Sequence, residues 1–313
     1  MITKSDYRIV SPVENYGLLL RNKIRGDSEL GHSMRSVLFI HGATYGSTST
    51  FDYQIEGESW MDKMAGQGFD VWCLDLLGYG QSDRPREMLV APSLNDPIVD
   101  TAHAIREMDI AVDFILRHRS ISHLSLIGYS WGSAICGRYA GTFKEKVERL
   151  VLTGALWVEK AEVPNSGNAE LGSYRTVDAV TMEKRWAMGL SKNEIEAIVP
   201  PAVVSRWCSE AVLSDPLGEK SGLLRAPTGV IQDFIHHSVS GEPWYQPSEI
   251  LAPTQIVVGE LDAETTPNQG KKIFEQLDNA TEKSITVVGG GTHSLLLENQ
   301  RHVLQRAVSG FLA

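Results

Sequence analysis

The segment Gly128-Tyr129-Ser130-Trp131-Gly132 holds the first side chain in this sequence placed for covalent chemistry. An apolar run, Leu124-Ser125-Leu126-Ile127, precedes it, and a helix-compatible stretch from Ser133 to Phe143 follows. Ser130 therefore sits on a sharp strand-to-helix turn of the G-x-S-x-G type. Side chains at Gly128 or Gly132 would meet neighbouring backbone in such a turn, so both positions need glycine. A serine there stands above the sheet at a helix N-terminus, whose dipole favours developing negative charge. A serine hydroxyl is a weak nucleophile at neutral pH, so it needs a base, and the base needs an acid to orient it. Two later segments offer these groups. The strand pattern over 255–258 runs into Gly259-Glu260-Leu261-Asp262, with Thr265-Thr266-Pro267 just beyond. The pattern over 284–288 runs into Gly289-Gly290-Gly291-Thr292-His293. Both segments lie past the C-terminal end of a strand, where open α/β sheets bind their ligands. Of nine histidines, His293 alone follows a C-terminal strand through a glycine-rich turn. Glu260 and Asp262 each offer a carboxylate, and the chemistry alone does not choose between them.

Two further motifs complete a series: His41-Gly42 after the strand pattern Ser36–Ile40, and Asp75-Leu76-Leu77-Gly78-Tyr79-Gly80-Gln81-Ser82-Asp83. With these five motifs in order, the chain resembles the α/β-hydrolase superfamily, in its serine hydrolase branch with a helical cap, over nearly its whole length. The resemblance implies Ser130 as nucleophile, Asp262 as acid and His293 as base, with Glu260 left as a rim residue. It also implies an oxyanion hole of two backbone N–H groups. One comes from Trp131, whose indole packs structurally. The other comes from Ala43, in the loop that His41 braces. Because that loop reads His41-Gly42-Ala43-Thr44-Tyr45-Gly46 and not the His-Gly-Gly-Gly of many lipases, Thr44 is the alternative donor. A serine at the turn separates the chain from haloalkane dehalogenases and epoxide hydrolases, which use a carboxylate. The implied reaction is hydrolysis of a small or medium, apolar carboxylic ester or lactone through an acyl-enzyme. Alternatives are carbon–carbon bond hydrolysis and a proline-iminopeptidase-like amidase activity. Ser130-Trp131-Gly132-Ser133 resembles those peptidases, but their His-Gly-Gly-Pro-Gly loop is missing. A ligand-binding receptor on the same fold is the non-enzymatic alternative.

The elements that must carry these residues alternate along the chain. Tyr7–Val10 and Leu18–Ile24 form an antiparallel pair, and short apolar strands recur at 37–40, 69–74, 124–127, 150–153, 255–258 and 285–288. Helical spacing marks 60–67, 101–119 and 300–311. The pattern predicts an α/β fold, a mostly parallel β-sheet flanked by helices, and the resemblance implies an inserted mainly helical cap. The expected organisation is a core over 1–155 and 251–313, interrupted by the cap at 156–250. Four of the seven tryptophans fall in that insertion, which carries helical patterns at 181–188 and 192–198. Aromatic residues in such a segment bury it on the core, and one or two face a pocket. The expected pocket residues are Thr44, Tyr45, Trp157, Trp186 and Trp207.

Composition narrows the partners. A net charge of −10 and a pI near 5.4 argue against nucleic acid or anionic membrane surfaces as ligands. The segment Met1–Asp6 has no apolar core of a secretory signal, and no run of 18 apolar residues occurs. Cys73, Cys136 and Cys208 are scattered and odd in number, which reads as buried thiols in a reducing, cytoplasmic setting. His236-His237 lacks further residues at metal-ligand spacing and reads as surface or pocket wall. The expectation is a small-molecule substrate with no cofactor and no metal, acted on by a monomer or homodimer.

Overall fold

A computed structural model describes residues 1–13, 15–26, 35–158, 160 and 171–313 of the chain. Its strands are β1 (Ile2–Val10), β2 (Gly17–Arg25), β3 (Ser36–Ile40), β4 (Asp70–Leu74), β5 (Leu124–Tyr129), β6 (Val147–Thr153), β7 (Tyr174–Val177), β8 (Leu224–Pro227), β9 (Thr254–Gly259) and β10 (Lys283–Val288). The helices are α1 (Ser47–Phe51), α2 (Trp60–Gly66), α3 (Thr101–Arg119), α4 (Trp131–Thr142), α5 (Ala179–Trp186), α6 (Lys192–Ile198), α7 (Pro201–Leu213), α8 (Gly218–Ser221), α9 (Gly229–Ser240), α10 (Pro267–Gln276) and α11 (Arg301–Leu312).

Eight strands form one sheet in the order β1-β2-β4-β3-β5-β6-β9-β10. From β4 through β10 the neighbours run parallel, whereas β2 pairs antiparallel with both β1 and β4. The central strands β3, β4 and β9 are buried at every position, as parallel strands covered on both faces must be. Their side chains alternate between two cores. Leu38, Trp72, Leu126, Leu152 and Ile256 share one face with Met108, Val112 and Tyr139. Val37, Phe39, Val71, Ile127 and Val257 share the other with Met64, Leu304 and Val308.

Local signals set the helix ends. Asp100 caps α3 by accepting from the His103 N–H, and Ser120 ends it in the left-handed conformation after Arg117, His118 and Arg119. Ser59 and Asp62 form a capping box on α2. The sheet order reverses at β3: the chain leaves it for β4 on one side and later places β5 on the other. That reversal opens a crevice at the strands' C-terminal ends, where ligands bind in such folds. The register Ile40↔Gly128 sets the His41-Gly42 loop beside the Ser130 turn.

Between β6 and β9 lie helices α5 to α9 together with β7 and β8, which form a separate two-stranded antiparallel sheet. The helical patterns at 181–188 and 192–198 are present as α5 and α6, but the strand pair was not foreseen. Its two strands are four residues each and are far apart in sequence, so no turn signal links them. Residues 159 and 161–170 of the expected insertion lie outside the described residues. Among the described residues, no helix is long and apolar enough to cross a membrane.

Candidate active site

Ser130 follows β5 directly and precedes α4, with φ 56° and ψ −122°. A non-glycine residue in this region is strained, and the surrounding backbone must hold it there. Glycine is required on both sides. A Cβ on Gly128 would lie 2.3 Å from the Gly132 carbonyl oxygen, and one on Gly132 would lie 2.1 Å from the Ile40 carbonyl oxygen. Gly42 abuts the serine, since a Cβ there would be 3.0 Å from Ser130 Cβ.

His293, beyond β10, reaches Ser130 Oγ through Nε2 at 3.0 Å and Asp262 Oδ2 through Nδ1 at 2.9 Å. Because a hydroxyl must donate to the imidazole, Nε2 is the acceptor and Nδ1 carries the proton given to Asp262. Asp262, beyond β9, also accepts from the Glu264 and Thr265 N–H groups and from the Thr265 hydroxyl. Burial pushes the Asp262 carboxyl up, but His293 and these donors outweigh it and hold the group below its ordinary value. Burial pushes His293 down, yet the charge and hydrogen bond of Asp262, with Glu264 adding to them, raise it above 6.5. Glu260 is exposed and accepts from the Gly290 N–H at 3.0 Å, so it braces the glycine turn before His293. Tyr129 does the same from the other side, donating to the His293 carbonyl at 2.9 Å.

His41 is fully buried in the loop wall. Its Nε2 accepts from the Leu76 N–H at 3.2 Å, which leaves Nδ1 to donate to the Gly42 carbonyl at 2.7 Å. Burial disfavours its charged form. Asp75 anchors the far end of the same loop by accepting from the Ser47 and Gln81 N–H groups. The N–H groups of Ala43, Thr44 and Trp131 have no protein acceptor among the described residues. All three remain free to meet an oxyanion. The Trp131 indole donates to Thr101 Oγ1 and packs in the core.

Ala43, Thr44, Tyr45, Ser130, Trp186, Trp207 and His293 line a narrow cavity, with Met182, Arg185 and Glu264 also in its wall. Trp186 and Trp207 meet edge-on at 5.3 Å, and Tyr45 meets Trp207 at 4.5 Å. Trp157 lies elsewhere. Four residues past β6 and beyond the bend at Gly154, it is buried edge-on, at 6.0 Å, to Tyr245, whose ring lies against Gly137 of α4. His236 is exposed, and His237 packs against Trp244 and bonds the Glu242 carbonyl, away from the cavity.

Several site residues had no sequence signal. Arg185 on α5 pairs with Glu264 and donates to Thr44 Oγ1 at 3.1 Å, so a charged pair lines the cavity beside its aromatic residues. Glu264 Oε2 stands 3.9 Å from His293 Nε2. Glu298 is buried behind the site, where it accepts from the Trp186 indole at 2.9 Å and from Thr292. Glu264 and Thr265 lie so close to Asp262 that proximity alone could have flagged them. Arg185 and Glu298 follow no spacing rule and emerge only from the fold.

Residues 35–179 match the family model described as alpha/beta hydrolase fold. The AB hydrolase superfamily protein YisY of Bacillus subtilis (strain 168) is 28% identical over 128 residues, 41% of this chain and 40% of the relative. The match thus spans less than half of that relative's length. Among solved structures, the 2-hydroxy-6-oxo-6-phenylhexa-2,4-dienoate hydrolase of Rhodococcus sp. strain RHA1 superposes with a TM-score of 0.63 at 14% identity, covering 100% of both chains. The thermophilic esterase of Thermogutta terrifontis gives a TM-score of 0.61 at 14% identity, covering 98% of each chain. At such identities the likeness concerns the fold. Together with the sheet order, the strained turn at Ser130 and the family match over 35–179, it gives this chain the α/β-hydrolase fold.

Proposed function

We propose that the protein is a serine hydrolase that cleaves a small carboxylic ester through an acyl-enzyme. The observation that carries this reading is the continuous relay from Ser130 Oγ to His293 Nε2 at 3.0 Å and from His293 Nδ1 to Asp262 at 2.9 Å. Ser130 Oγ bonds to the ester carbonyl carbon while its proton passes to His293 Nε2 and the carbonyl π pair moves onto oxygen. Asp262 stabilises the imidazolium. The Trp131 N–H, with Ala43 or Thr44, receives the oxyanion. As that oxygen re-forms its double bond, the alcohol leaves with the proton from His293. Water then repeats the sequence on the acyl-enzyme and releases the acid.

The narrow cavity favours a small acyl group. Its Arg185–Glu264 pair, beside the expected aromatic residues, favours substrates that carry a polar group. That charged pair also keeps carbon–carbon bond hydrolysis as a second reading, because a substrate cleaved between carbons must bear polar groups that stabilise the departing carbanion.

The test is steady-state hydrolysis of p-nitrophenyl esters from acetate to octanoate by the parent and by Ser130→Ala. The expected result is turnover that is fastest with short chains and lost in the variant by about three orders of magnitude or more. Turnover that survives the substitution would refute the reading. Absence of ester turnover, with cleavage of a β-diketone, would favour the second.

A further inference from the structure

We propose that Arg175, supplied by β7, is a positioning residue that fixes and polarises the Ala43–Thr44 peptide for the oxyanion formed at Ser130. The inference rests on the serine hydrolase reading. Arg175 reaches from the segment between β6 and β9 to the loop beside the nucleophile. Its Nη2 donates to the Ala43 carbonyl at 2.7 Å and to Thr44 Oγ1 at 2.9 Å, and its Nη1 donates to the Pro227 carbonyl at 2.9 Å. The Tyr79 hydroxyl adds a second bond to the Ala43 carbonyl at 3.2 Å.

In a trans peptide the C=O and N–H point in opposite directions. Holding the Ala43 oxygen from behind therefore turns the Thr44 N–H away from Arg175. His41 acts on the preceding peptide in the same way, since its bond to the Gly42 carbonyl directs the Ala43 N–H. Two successive peptides are thus gripped by their oxygens and present unpaired N–H groups in the wall beside Ser130. A cation on the carbonyl oxygen also draws electron density through the amide and makes the opposite N–H a stronger donor.

The charges around the site point the same way. Arg185 is neutralised by Glu264. Arg175 contacts only neutral acceptors, and among the described residues no carboxylate lies within ion-pair distance of it. Burial pushes its guanidinium below the ordinary arginine value. A partly buried cation without a counter-ion costs more than a neutral donor that could make the same contacts. Its charge has a use once the tetrahedral stage forms. His293 is then protonated against Asp262, Arg185 remains paired with Glu264, and the positive charge of Arg175 is matched only by the new oxyanion. Because the field is in place beforehand, no reorganisation is needed when that charge appears.

The test compares Arg175→Lys and Arg175→Met in the full chain, using the best p-nitrophenyl ester and an alkyl trifluoromethyl ketone. The ketone's Ser130 adduct carries the oxyanion, whereas the neutral alcohol product of an alkyl ester binds without forming one and brings no charge of its own. The expected result for Arg175→Met is a fall in kcat of about 100-fold, with KM within about threefold of the parent, as for loss of an oxyanion contact. Ketone affinity should fall in parallel with kcat/KM while product affinity holds, and Arg175→Lys should recover part of both losses. Changes confined to KM, unchanged ketone affinity, or two variants that are simply unfolded would each overturn the proposal. Failure of the underlying reading looks different: the parent itself would resist the ketone, and Ser130→Ala would keep its turnover.

Discussion

Trp186 is where the stability of the protein and the shape of its cavity meet, so Trp186→Ala tests both. The indole is 5% exposed, packs edge-on against Trp207 at 5.3 Å and donates to Glu298 at 2.9 Å. Truncating a buried aromatic costs about 3–5 kcal/mol, a range that includes the vacated space. Loss of the edge-on pair contributes about 0.5–1.5 kcal/mol of that. Glu298 keeps its Thr292 donors, so it is weakened but not orphaned. The vacated volume joins the existing cavity and opens to ligand or water, which places the total near the middle of the range, at about 4 kcal/mol. That is a large fraction of the 5–15 kcal/mol that holds a typical domain folded. The variant should still fold, with Tm lowered by about 6 °C. Differential scanning calorimetry reads that fall. The ester series reads the other effect, an optimum moved to longer acyl chains. Trp186→Phe keeps most of the packing but loses the bond to Glu298, and should fall between parent and alanine in Tm. A Tm change under about 3 °C with an unmoved chain-length optimum would refute the reasoning, because it would place the indole outside both the core and the cavity wall.

Other outcomes follow from the same geometry. Asp262→Asn should lower kcat about 10⁴-fold with the circular dichroism unchanged, because an amide no longer enforces the Nδ1–H tautomer of His293. The acid limb of kcat/KM should lie above pH 6.5, since catalysis needs neutral His293 and the folded protein favours its protonated form. Glu264→Gln should move that limb to lower pH, by removing a carboxylate 3.9 Å from Nε2 and freeing Arg185; a limb moved upward would contradict the site electrostatics. The same shift bears on folding. The raised His293 stabilises the protein fully below its unfolded pKa and loses that contribution as pH rises through the folded one, whereas the lowered Asp262 contributes above its unfolded pKa and loses it as pH falls through the folded one. Gly132→Ala should cost about 3 kcal/mol or more in urea unfolding, or yield no folded protein, because its Cβ would lie 2.1 Å from the Ile40 oxygen.

What was legible in the sequence divides along physical lines. The inner strands could be read because burial on both faces demands apolar runs such as Val37–Ile40 and Ile256–Val258. Helix α3 was placed to the residue because its apolar spacing and its basic last turn agree. Ser130, Asp262 and His293, which the fold brings within hydrogen-bonding distance, each stand at a strand end in a turn that restricts composition. Thr44, Tyr45, Trp186 and Trp207 were expected near the cavity and do line it. Trp157 was expected there for its aromaticity alone, and residue type does not set direction; past the bend at Gly154 its ring joins the core against Tyr245. The charged wall was missed for a related reason. Arg175 and Arg185 reach the site from short elements whose pairing depends on contacts distant in sequence, such as Tyr174↔Pro227, and no local pattern encodes those. The expectation of an apolar pocket counted tryptophans and could not count the guanidinium groups.

The most direct test of the central claim, that His293 activates Ser130 as the nucleophile, is covalent capture. The parent, Ser130→Ala and His293→Ala would be treated with an alkyl fluorophosphonate and followed by intact mass and peptide mapping over time. The expected result is one stoichiometric adduct on the peptide containing Ser130, formed slowly in His293→Ala and absent in Ser130→Ala. Labelling elsewhere, or labelling of the parent no faster than of His293→Ala, would contradict the account.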